Sequence, residues 1–270
     1  MATERLAQAH RLARQVGLDA RQFATAVRGL RPYFRNRAEW KRQASRPDQP
    51  SFDRGPSYPC LADRFSKSSD LAAHYFLQDL LVARFIYRAN PRSHVDIGSR
   101  VDGFVAHVAT FREIDVLDLR DSPPAIEGIR FHRYDLLAHD QSYDGFTDSL
   151  SCLHTLEHLG LGRYGDDVRV DGHVTGFASL MRILKPGGRL YISVPIGRWQ
   201  RVEFDAHRVF SVPYVVDSLI DDAAEVESFC FIDDAGALHA NVPLGGLEAR
   251  NSFGLNYGCG IFSLRKPLRS

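Results

Sequence analysis

Between residues 94 and 196, short apolar runs rich in branched residues alternate with stretches of helical period. His94-Val95-Asp96-Ile97-Gly98 reads as a strand entering a glycine turn, and residues 101–111 as the helix after it. Residues 112–119, 129–136 and 146–153 read as three further strands. A helix over 172–184 is closed by Lys185-Pro186-Gly187-Gly188 and feeds a fifth strand, Arg189 to Ile196. Alternation of this kind implies a mostly parallel sheet covered by helices, a doubly wound α/β fold. Upstream, Ser69-Asp70 offers an N-cap for a long helix through Arg88, which Asn90-Pro91 ends. Downstream, residues 212–220 read as a helix. Strands over 226–233 and 257–266 then follow with no helix between them, which implies an antiparallel pair at a sheet edge.

Composition sets the outer bounds. Of 270 residues, 44% are hydrophobic and 25% charged, enough to build a core and to exclude disorder along the whole chain. No apolar run approaches the ~20 residues of a membrane span, and the first residues lack a signal core. The expected location is cytoplasmic. Cys60, Cys152, Cys230 and Cys259 form no CxxC pair and are expected as reduced thiols. Net charge is +1 but unevenly placed: residues 1 to 50 hold eleven Lys or Arg against four Asp or Glu. Residues 2–40 have helical spacing with a break at Gly17, and residues 43–60 carry four prolines. The expected organisation is therefore a basic helical appendage and linker, 1–60, and an α/β domain, 61–270.

The chemistry-bearing residues fall at the ends of the expected strands. Gly98 sits where an open α/β sheet binds ligands, with Asp96 placed to orient the loop or to meet a cationic group. No Gly-Lys-Ser/Thr follows, so this is not a phosphate-binding Walker loop. Asp118 ends the second strand, where a carboxylate can accept hydrogen bonds from both hydroxyls of a ribose. Asp135 and Leu136 end the third, where a carboxylate can receive an adenine amine. The fourth strand delivers His154-Thr155-Leu156-Glu157-His158.

In this order, VDIGSRVDG (95–103), Asp118, YDLL (134–137), CLHTLEHL (152–159) and LKPGGRLYISVP (184–195) resemble the class I S-adenosylmethionine (SAM)-dependent methyltransferases, over about residues 70 to 265. A narrower resemblance, to a methyltransferase-like family of uncharacterised function, is carried by SLSCLHTLEHLGLGRYGD (149–166), RVEFDAHRVFS (201–211) and a glycine-rich tail. The resemblance implies a Rossmann-like, seven-stranded sheet with SAM across its switch point. Asp96, Gly98, Ser99, Arg100, Gly103, Asp118, Asp135, Leu136 and His154 would then bind the cofactor. Arg100 departs from the usual Asp-x-Gly-x-Gly-x-Gly, standing at its middle glycine. Either the loop takes another path, or Arg100 pairs with the methionyl carboxylate, or the cofactor site has decayed.

Residues 154–158 also fit the H-x-x-E-H pattern of inverted zinc peptidases. That chemistry needs both histidines on one long helix, whereas here a strand precedes and Gly160 and Gly162 follow; no metal is expected. His158 and Glu157 are the acid/base candidates, because a hydroxyl acceptor needs a base and an imidazole suits the task. His207, in Glu203-Phe204-Asp205-Ala206-His207-Arg208 past the fifth strand, is the competing base. Arg198, Trp199 and Arg201 would line a pocket for a polar or anionic acceptor. The expected function is SAM-dependent methylation of a small-molecule or sugar/glycan-type acceptor; the alternative is a non-catalytic binding or scaffolding protein of the same fold. The basic arm is expected to cover the active site or to mediate a homodimer. Nucleic acid is not the expected partner, since no recognised nucleic-acid module is present.

Overall fold

The computed structural model describes residues 8, 11–44, 59–62, 65, 73–120, 125–204 and 206–268. The chain divides into two compact units, residues 1–70 and 71–270, a boundary later than the one drawn after residue 60. In the first unit, residues 11–15 are helical, and Gly17, at φ 83°, separates them from helix α1 (Ala20–Ala44). Asp19 caps α1 by accepting from the backbone N–H groups of Arg21 and Gln22. Most of the expected linker, and the expected cap at Ser69-Asp70, lie outside the described residues.

The second unit is built on an eight-stranded sheet of order β3-β2-β1-β4-β5-β10-β8-β9. Its strands are β1 (Val95–Ile97), β2 (Ile114–Asp118), β3 (Ile129–Arg133), β4 (Thr147–Leu153), β5 (Leu184–Ile196), β8 (Glu225–Ile232), β9 (Leu238–His239) and β10 (Gly258–Arg265). Strands β3, β2, β1, β4 and β5 are mutually parallel. β10 runs antiparallel between β5 and β8. Seven strands were expected; the eighth is β9, a two-residue return against β8. The expected antiparallel pair is therefore β8 and β10, with β10 interior to the sheet. Its residues Gly258 to Leu264 are all buried, as an inner strand requires.

Each face carries its own core. Helix α2 (Ala73–Ala89) packs Val82 and Ile86 with Phe104, Val108, Ile114, Val116, Tyr191 and Ile261. The other face buries Ile97, Leu117, Leu150, Ile192 and Val194 under helix α4 (Gly172–Ile183) and the 212–220 helix. Phe177, Leu180, Met181 and Ile183 point into that core at helical spacing. The helix after β1 opens with a wide turn, Val101–Val105, and continues as α3 (Ala106–Ala109). The 201–211 stretch is not an open loop. Strands β6 (Arg201–Glu203) and β7 (His207–Val209) form an antiparallel hairpin there. Among the described residues, no helix is long and apolar enough to cross a membrane. All four cysteines are free thiols, three of them buried.

Candidate functional site

Strand order reverses at β1, whose neighbours are β2 on one side and β4 on the other. That reversal opens a crevice at the carboxyl ends of the strands. The loop leaving β1 is braced from below by Asp96, which is fully buried. Its carboxylate accepts from the Ser99 N–H at 3.0 Å, the Ser99 hydroxyl at 2.9 Å and the Ser151 hydroxyl at 2.6 Å. Burial outweighs these donors and pushes its pKa up to about 7. Asp96 therefore orients the loop, one of the two roles expected of it, and is not among the residues that line the cavity. Gly98 has φ 73°, and a Cβ there would lie 2.9 Å from the Thr155 side chain. No other residue type fits without strain.

Arg100 occupies ordinary extended backbone, at φ −70° and ψ 136°. That position makes no demand for glycine. Its guanidinium pairs with Asp102, at 3.0 and 2.7 Å, on the exposed rim. The loop thus tolerates Arg100 by turning its side chain along the surface. At Gly103 a Cβ would come 3.1 Å from Asp79 Oδ2, so the Asp79 side chain would have to give by a few tenths of an ångström.

Above this loop lies a cavity of about 710 Å³, within the usual size range for small-molecule sites. Its walls include Gly98, Ser99, Arg100, Gly103, Asp118, Asp135, Leu136, His154, Thr155 and His158, which brings together most of the residues expected from the sequence. Asp118 does not stand free there. Arg120 Nε donates to its Oδ1 at 2.9 Å and Arg120 Nη2 to its Oδ2 at 2.5 Å, and Nη2 also reaches the Gly98 carbonyl at 3.2 Å. Asp135 accepts the Leu137 N–H at 2.9 Å, keeping its other oxygen for the cavity.

The turn after β4 supplies the titratable groups. His154 takes φ 50°, and residues 155–159 form turns rather than a helix, so the two histidines do not share a helical face. The His154 ring meets Glu157 Oε1 at 2.7 Å. Burial works against charge on this imidazole, but Cys259 and Glu157 beside it hold its pKa well above the usual value. Glu157 is almost completely buried, and its Oε2 has no hydrogen-bond partner among the described residues. His158 Nδ1 lies 2.6 Å from the Ala206 carbonyl. A carbonyl can only accept, so Nδ1 carries the proton and Nε2 keeps a lone pair. Burial lowers the His158 pKa, which keeps the ring neutral near pH 7. Nε2 is 3.7 Å from Glu157 Oε1.

Glu157 and His207 stand behind the wall rather than in it. The His207 ring is 6.4 Å from that of His158, packs on Tyr257, and faces Glu203 at 3.5 Å. Trp199 and Arg201 stack on each other outside the cavity, and Arg201 pairs with Glu203. Neither is among the residues that line this cavity. Sequence reasoning missed Tyr75, Gln78 and Asp79, which helix α2 contributes to the wall, and also Arg120, Arg163 and Tyr164. A signal existed for Arg120, which sits two residues past the acid it clamps; none existed for the α2 residues, whose place depends on packing.

Residues 127–219, about a third of the chain, match the model of a family described as Caenorhabditis protein of unknown function, DUF268. Both stretches that carried the narrower resemblance lie within that range. No curated protein matches the sequence. Among solved structures, N-methyltransferase NodS from Bradyrhizobium japonicum WM9, in complex with S-adenosyl-L-homocysteine (SAH), is similar at 14% identity and a TM-score of 0.49. That alignment covers 85% of this chain and 97% of that one. The 1,6-didemethyltoxoflavin-N1-methyltransferase of Burkholderia thailandensis aligns at 16% identity over 92% of this chain and 91% of that one, also with a TM-score of 0.49. The [4+2]-cyclase SpnF scores 0.49 at 14% identity, over 70% of this chain and 81% of that one. Similarity this distant says nothing about chemistry, and SpnF is named for a cyclisation. The Rossmann-like assignment of this chain rests on its own strand order.

Proposed function

We propose that the protein is a SAM-dependent methyltransferase acting on a small-molecule or sugar-like acceptor. The observation that carries this reading is the cavity at the switch point, which has carboxylates at the ends of β2 and β3 and a neutral, oriented imidazole on the turn after β4. The residues present fit a nucleoside-bearing cofactor. Gly98 leaves its backbone open to close approach, Asp135 and Leu136 flank the place of a base, and Asp118 faces the place of a ribose once Arg120 releases it. Bound SAM supplies a methyl group on a sulfonium, ready for in-line displacement. The chain's part is then alignment, exclusion of water and removal of one proton. With SAM bound, His158 Nε2 would take the proton of an acceptor hydroxyl, leaving its oxygen free to accept the methyl group. Glu157, 3.7 Å away, stabilises the imidazolium that results.

A second reading, a non-catalytic binding module, draws on the Asp118–Arg120 pair, which engages both carboxylate oxygens. Titration calorimetry with SAM and SAH tests both readings. Saturable binding of each, followed by transfer of a labelled methyl group to a panel of sugars and hydroxy acids, supports the enzyme. Binding without transfer, or no binding at all, supports the non-catalytic module and removes the enzyme.

A further inference from the structure

One guanidinium in the cavity wall, that of Arg163, has no carboxylate within ion-pair distance among the described residues. Arg100 pairs with Asp102 and Arg120 with Asp118. Arg163 makes no ion pair among the described residues. Its Nη1 donates to the Ala206 carbonyl at 2.8 Å, the same oxygen that takes the His158 Nδ1 proton. Its guanidinium lies 5.2 Å from the centre of the Tyr164 ring, which in turn packs edge-on against His158. One carbonyl and one ring therefore hold a cation and a neutral imidazole side by side at the same end of the cavity.

The surroundings add to the positive field. Arg208 on β7 is buried and spends its donors on four backbone carbonyls, those of Glu157, Leu159, Arg169 and Val170. No carboxylate forms an ion pair with it among the described residues, although Asp166 lies near enough to favour its charge. Asp166, which also borders the cavity, accepts from the N–H groups of Gly160 and Tyr164. An acceptor bound against His158 thus meets a fixed positive charge. Arg163 is itself exposed at the rim of the cavity, so an anionic acceptor gains a charge partner there that a neutral one does not.

Resting on the methyltransferase reading, we propose that the acceptor carries an anionic group, a carboxylate or a phosphate, beside the atom to be methylated, and that Arg163 binds that group. The planar guanidinium is suited to two-point recognition of either anion.

The probes are inorganic phosphate and acetate, titrated by calorimetry into protein saturated with SAH. Binding of at least one is expected, and the tighter of the two names the group. Arg163→Gln is expected to weaken it about 10- to 100-fold, as for loss of a charge-assisted hydrogen bond, while SAH affinity stays within about twofold. Arg163→Lys, which keeps the charge, is expected to retain most of the anion binding and controls for damage to the loop. Anion binding that is absent, or unchanged in Arg163→Gln, overturns the proposal while leaving the cofactor site intact. A fall in SAH affinity in Arg163→Gln also overturns it, by assigning Arg163 to the methionyl carboxylate. If wild-type protein binds no SAH, the methyltransferase reading fails and this inference falls with it.

Discussion

The Asp118–Arg120 pair turns the cofactor reading into a measurable competition. A ribose diol can reach the Asp118 oxygens only after Arg120 lets go. The pair is partly exposed, with side chains 18% and 47% accessible, so its interaction is worth about 0.5–1 kcal/mol. The bond from Arg120 Nη2 to the Gly98 carbonyl adds about 0.5–1 kcal/mol. Together, about 1–2 kcal/mol is lost before SAM gains anything at Asp118, so Arg120→Ala is expected to tighten SAM roughly 5- to 30-fold. Losing the charge-assisted bonds from the ribose costs about 1.5–3 kcal/mol. Asp118→Ala also removes the pair's own hold, about 0.5–1 kcal/mol, so alone it should weaken SAM about 5- to 30-fold. In the Arg120→Ala background the same change should weaken it about 10- to 100-fold. Calorimetry on the four proteins of this cycle, each checked for folding by its near-ultraviolet dichroism, gives the coupling directly. Weaker binding by Arg120→Ala would refute the competition. A folded double mutant that binds as tightly as Arg120→Ala would remove the ribose assignment.

His158→Ala is expected to lower turnover about 10²–10⁴-fold with SAM affinity within a few-fold, whereas His207→Ala leaves turnover near wild type. Full activity of the first with loss in the second moves the base to the hairpin. Because burial holds the His158 pKa below its ordinary value, the acid limb of the rate profile should lie below about pH 6.5. A limb above that value contradicts a neutral, desolvated base. Buried His94, between the Ser149 and Ser151 hydroxyls, has its pKa lowered to about 3. Below about pH 6.5 the unfolded chain binds a proton there that the native state refuses. The stability advantage of wild type over His94→Gln should therefore shrink by about 1.4 kcal/mol per pH unit from 6.5 toward 4. Asp96 contributes the opposite slope between about pH 7 and its unfolded value, since its raised pKa lets the native state bind the extra proton. Denaturant titrations of both proteins across this range isolate His94, because Asp96 is common to them.

The strand–turn–helix order was legible because each element's signal is local. Periodicity marks which residues face a core, and Gly98, Asn90-Pro91 and Pro186-Gly187 mark where the chain must turn. The residues at strand ends followed from that order, since parallel strands put their carboxyl ends on one edge, and this is why Asp118, Asp135, Leu136, His154 and His158 come together around one cavity. What the local signal could not carry was the pairing of side chains once they arrived. Asp96 reads as a ligand contact, yet tertiary packing closes it over with two serines, one of them 55 residues away. Asp118 reads as an open acceptor, yet Arg120 clamps it. Past the fifth strand the sequence singles out His207 as a base, yet there the chain folds into a hairpin whose Ala206 carbonyl sets the His158 tautomer and anchors Arg163. In each case the deciding partners are one to three hydrogen-bonding atoms, and a displacement of about 1 Å would exchange one of them for another or for water. Residue types and spacing therefore determine which elements form and which side chains share an edge. Only the packed structure decides which of those side chains hold each other and which are left to hold a ligand.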